Sequence, residues 1–90
     1  MHNEASLYNQ LAKLGRKHGA TTDRIRQKAA LVELHDRFDA KNWGECADER
    51  RAALIGAVEK ERSSRAAIEA EMLQVSLALA SQHLNQEVYP

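Results

Sequence analysis

The sequence predicts an all-α protein: a helical hairpin with a short N-terminal helix and one long C-terminal helix, a bundle or coiled-coil-like dimer. Three observations carry this. Charged residues, alanine and leucine dominate while glycine (4) and proline (1) are rare, a composition that favours long helices. Apolar residues recur at helical three-to-four-residue spacing, and no alternation of period two runs for any length. Finally, the segment between Ala66 and Leu84 carries two apolar stripes instead of one.

The 90 residues are read as one domain, residues 1–90. Its first helix is expected over about 4–18, with Leu7, Leu11 and Leu14 on one face and Tyr8 and Ala12 beside them. Glu4 suits the positive N-terminal end, and Arg16, Lys17 and His18 suit the last turn. Gly19 then reads as the residue after the C-cap, where a positive φ costs glycine little.

Thr21, Thr22 and Asp23 offer side-chain oxygens to first-turn amides and predict a second helix over about 22–40. Ile25, Ala29 and Val32 share one of its faces; Leu31, Leu34 and Phe38 lie on the other. A helix apolar on two sides is expected to be sandwiched between neighbours. Asn42 and Gly44 mark a turn over 39–45, and Trp43, with Phe38, is expected to close the end of the hairpin.

From about 45 to 86 nothing stops a helix; the one weak point, with the chance of a bend, is Ser63-Ser64. Ile68, Met72, Val75 and Leu79 follow a 4-3-4 spacing that aligns one face. Extended backwards, this register passes through Arg65, Glu61, Val58 and Leu54, so charge stands where the seam should be apolar. Two readings remain open there: the polar pair fixes register, as polar core positions do in coiled coils, or, the plainer reading, the seam rotates away and both side chains are solvated. Ala66, Ala70, Leu73, Leu77 and Leu84 form the second stripe on roughly the opposite face.

Thirteen basic and thirteen acidic residues cancel, so overall charge attracts neither nucleic acid nor membrane. The one local excess is Lys13, Arg16, Lys17, Arg24, Arg26 and Lys28 against Asp23 alone. Such a patch could contact phosphates; acidic residues between Glu59 and Glu71 could equally neutralise it. Nucleic acid is therefore an unfavoured partner. Cys46 is alone, which excludes an intrachain disulfide and fits a reducing, cytoplasmic setting. No stretch has the roughly 18 apolar residues of a membrane span, and the N-terminus lacks the features of a signal peptide.

His35 with Asp39, and His83 with Glu87, are four apart and could each supply two metal ligands, but no third is set by spacing. With no glycine-rich phosphate loop and no nucleophile elbow, the chain is not expected to be an enzyme or to hold a cofactor.

The stretches LVELHDRFDAKNW and ADERRAALIGAVEKERSSRAAI, between Leu31 and Ile68, resemble the small helical export chaperones of bacterial flagella. The shared pattern is a helix, a short turn bearing a tryptophan (here Trp43), and a long charged, alanine- and leucine-rich helix. The resemblance implies a chaperone- or adaptor-like module in which a client's C-terminal helix lies against the long helix. Met72, Leu73, Val75, Leu77 and Leu79 would then line the docking surface, since methionine and leucine suit helix-in-groove recognition. Alternatively Ile68, Met72, Leu73, Val75, Leu77, Leu79 and Leu84 form the core of a structural homodimer with no client.

Overall fold

The computed structural model describes residues 3–38, 44 and 46–87, the last three by backbone alone. Two helices make up the fold, α1 (Glu4–Arg37) and α2 (Ala47–Glu87), and the described residues contain no strand. They lie antiparallel against each other as a hairpin 72 Å long and 18 by 14 Å across.

The first helix is 34 residues long, so the expected short N-terminal helix and the break at Gly19 are corrected. Asn3 caps its start, Oδ1 accepting from the Ser6 amide at 2.7 Å. Glycine inside a helix costs only about 1 kcal/mol relative to alanine, which a continuous packed face outweighs. Gly19 accordingly keeps helical geometry on the exposed side. Thr21 is no helix start either. It is the most enclosed described side chain, 2% exposed, on the face turned to α2. Its hydroxyl donates to the Lys17 carbonyl at 2.8 Å and accepts from Arg24 Nη2 at 3.0 Å. A buried hydroxyl needs such partners.

The chain leaves α1 at Phe38, whose extended backbone (φ −111°, ψ 145°) ends the helix while its amide still donates to the Leu34 carbonyl. Gly44 has φ +86°, the left-handed conformation that glycine adopts readily, in agreement with the expected turn. Trp43, Asn42 and Asp39 lie outside the described residues. The second helix starts with Asp48 and Glu49 in its first turn, where negative charge meets the positive helix end. It then runs unbroken for 41 residues, through Ser63 and Ser64.

Both helices bury one heptad face. On α1, Leu7, Leu11, Leu14, His18, Thr21, Ile25, Lys28 and Val32 are buried or half-buried in strict 4-3 alternation. The matching residues of α2 are Leu54, Val58, Glu61, Arg65, Ile68, Met72, Val75 and Leu79. A 3.5-residue repeat on both helices keeps one face of each turned to the other along its length. Cross-helix contacts mark the register: His83 Nε2 lies 3.2 Å from Glu4, His18 Nε2 lies 2.9 Å from Glu69, and Arg51 pairs with Asp36. Every step up α1 is matched by an equal step down α2, which places Leu7 at the level of Leu79 and Leu14 at that of Met72.

The radius of gyration is 20.2 Å, whereas a compact domain of this length would have about 12 Å. The seam is thus the whole core. Among the described residues no third helix packs on the far side of α1: Leu31, Leu34 and Phe38 are 44%, 40% and 53% exposed, a correction to the covered position expected for them.

The two glycines at the ends of this argument predict opposite effects. An added Cβ at Gly19 meets open space, so Gly19→Ala is expected to stabilise by about 0.5–1 kcal/mol. At Gly44 the left-handed φ and Arg50 Nη2, 3.2 Å from an added Cβ, work the other way. Gly44→Ala is expected to destabilise by about 1–2 kcal/mol. Denaturant midpoints of the two variants check this, and a destabilised Gly19→Ala would restore the break between two helices.

Candidate functional site

Seven residues of the long helix are the candidates from sequence, and the hairpin separates them into two sets. Ile68, Met72, Val75 and Leu79 face α1; Leu79 is only 7% exposed and the other three are half-buried. Leu73, Leu77 and Leu84 point the other way and are 61%, 60% and 63% exposed. Ala66, Ala70 and Ala80 are exposed as well. At about 100° per residue, these six fall within about 40° of one direction on the helix. The outer face of α2 is therefore a continuous apolar stripe, while the inner face is occupied by the chain itself.

Among the described residues nothing covers this stripe, because α1 is already engaged along its length. Each exposed leucine forgoes about 1.5–3 kcal/mol relative to full burial. Scattered surface leucines are ordinary; here six small or apolar residues stand in line along one helix.

A second apolar area lies near the turn, where Leu31, Ala53 and Leu54 border a shallow groove with His35 and Arg50. Phe38, one of the two residues expected to close the hairpin, is half-exposed at this end; its companion Trp43 lies outside the described residues.

Between the two ends the seam is polar. Glu61, its side chain 19% exposed, accepts from Arg24 Nε at 3.1 Å and Lys28 Nζ at 3.2 Å. One level further along, Arg65 reaches Thr22 Oγ1 at 3.4 Å and lies 3.7 Å from Glu69. Of the two readings of Glu61 and Arg65, the structure supports the polar layer within the seam. Lys28 and Arg24 hold the Glu61 carboxyl below the usual glutamate range, against the opposing effect of burial. Nearer the turn, Arg51 donates to Asp36 through two nitrogens, at 2.7 and 3.3 Å, and lowers its pKa.

These contacts also account for part of the basic segment. Arg24 and Lys28 both pair with Glu61, which offsets one of their two charges, while Lys13 and Lys17 border a groove that Glu71 lines from α2. His83 pairs with Glu4 at 3.2 Å. Among the described residues no group of three or more histidine, cysteine or acidic side chains could hold a metal ion. Cys46 is exposed, just before α2. No described helix is long and apolar enough to cross a membrane.

Comparison with known protein families, with curated proteins and with solved structures finds no match to this chain.

The depressed carboxyls give stability a defined pH dependence. A carboxyl whose folded pKa lies below its unfolded value stabilises the fold above that unfolded value, about 4.3 for glutamate. The contribution is lost as pH falls through the folded pKa. Thermal midpoints are therefore expected to fall on acidification below about pH 5. Glu61→Gln should lower the midpoint at neutral pH and flatten the acid limb, the two proteins converging at low pH. Parallel acid limbs would show that Glu61 is not engaged in the seam.

Proposed function

We propose that this chain is a protein-binding module, chaperone- or adaptor-like, that docks a partner helix on the outer face of α2. One observation carries the reading: Leu73, Leu77 and Leu84 stand exposed in a single line on a helix whose other apolar face is already filled. A straight apolar stripe on a helix fits another helix, because i, i+3, i+4, i+7 anchors interdigitate with their like. The docking residues narrow from seven to these three leucines with Ala66, Ala70 and Ala80. Ile68, Met72, Val75 and Leu79 act indirectly, by holding α2 straight against α1.

The resemblance of residues 31–68 to flagellar export chaperones implies the same kind of partner, a helix laid along the long helix. No catalytic role, metal or cofactor is part of the proposal. Nucleic acid is not the proposed partner, since Arg24 and Lys28 already serve Glu61. A cytoplasmic setting remains the expectation for a chain with one exposed free thiol.

A photo-crosslinking residue at position 77, on the stripe, tests this against one at position 60, on a polar face of the same helix. In cells that make the protein, adducts are expected from position 77 and not from position 60. Adducts from neither, or equal adducts from both, would remove α2 as the docking face.

A further inference from the structure

We infer that the partner seated on the outer stripe is a second copy of this chain, with the two α2 helices antiparallel and a two-fold axis near Val75. This rests on the docking face proposed above and names its occupant.

The order of residues along the stripe carries the inference. The stripe is itself a 4-3 heptad seam: Ala66, Ala70, Leu73, Leu77, Ala80, Leu84. Read from both ends it is self-complementary. An antiparallel copy centred at Val75 places Leu73 opposite Leu77 of the second copy, Ala70 opposite Ala80, and Ala66 opposite Leu84. Antiparallel coiled coils layer the two kinds of seam position against each other, and this register does so at all six levels. A two-fold axis requires the same patch to serve both subunits, residue i meeting j and j meeting i. The central leucine layers are thereby flanked by alanine layers that allow close approach.

The residues beside the stripe agree. On one flank Glu69, bonded to His18 within its own hairpin, comes level with His83 of the second copy, itself bonded to Glu4, and Ser76 meets Ser76. On the other flank Gln74 meets Gln74, and Ala67 meets Ser81. No like charges are opposed. A parallel copy would continue the seam backwards to Glu59, which is exposed in the same line, and set it against Glu59. In the antiparallel register Glu59 faces no described residue of the second helix. The seam from 66 to 84 is about 27 Å long at 1.5 Å per residue. The turn ends of the two hairpins, with Leu31, Leu34 and Phe38, project to opposite sides and take no part.

The test uses the full chain with Cys46→Ser, because the native thiol is exposed. Sedimentation over a concentration series is expected to show a dimer. Leu77→Glu should weaken it by about a hundredfold or more, since two leucines are lost per dimer, with helix content unchanged by circular dichroism. A short bis-maleimide reads the direction without touching the stripe. Gln74→Cys is expected to link to its own copy, while Ala67→Cys and Ser81→Cys link only when the two proteins are mixed. A monomer at all concentrations, a dimer indifferent to Leu77→Glu, or self-linking of Ala67→Cys would each overturn the inference. The docking face itself fails if position 77 gives no photo-adduct or none in excess of position 60; a monomer that is crosslinked at 77, and not at 60, to a different protein overturns the second copy and leaves the face standing.

Discussion

Everything in this fold depends on one seam, in which two helices present a strict 4-3 repeat to each other in opposite directions. Two helices alone offer a single line of contact, so a residue is inside only if it lies on that line. Leu7, Leu14, Ile25, Val58 and Leu79, all below one-tenth exposed, lie on it. Residues one step off the line, such as Thr22 and Ala29, are half-covered, and those behind it are open to water. The strictness of the repeat also explains why α1 passes straight through Gly15 and Gly19: breaking the helix there would bring His18, Thr21 and Ile25 out of phase with Ile68, Arg65 and Glu61.

The middle of the seam departs from an apolar core. Thr21, Lys28, Glu61 and Arg65 occupy positions where leucine would bind more strongly, and a buried ion pair adds little net stability against an apolar alternative. What such a layer does is penalise sliding. Moving one helix by a heptad would leave Glu61 without Arg24 and Lys28, and an unpaired charge in a half-closed seam is costly. Apolar ends joined by a charged middle thus give a hairpin one register, with Asp36–Arg51 and Glu4–His83 repeating the constraint towards each end.

The same geometry produces the surface assigned to function. A hairpin 72 Å long and 18 Å wide has too little interior to bury the leucines it carries, and those at 73, 77 and 84 end up in a row outside. The stripe follows from the length of α2 and the engagement of α1, and its symmetric 4-3 spacing fits a second copy of the same helix.

Much of this was legible in the residues. The long helix, its inner 4-3 register, the second stripe and the glycine turn at 44 follow from spacing and composition, because periodicity on one continuous helix is a local property. The fate of the apolar sets was not local. Whether Ile68 or Leu73 faces inward depends on which stripe meets α1, and both have helical spacing. Gly19 followed by Thr21, Thr22 and Asp23 reads as a helix end and a new start on local chemistry, yet the fold runs through it. The cue that could have resolved this was the heptad run from Leu7 to Val32, in which polar His18, Thr21 and Lys28 fill seam positions. The cross-helix partners of His18 and Lys28, 51 and 33 residues away in sequence, are visible only once the chain is folded. The sequence by itself determined that the protein is helical and that its long helix carries two apolar faces, since those are matters of period and count. Only the tertiary structure decided which face is core and which is surface, because that choice is made by the helix across the seam.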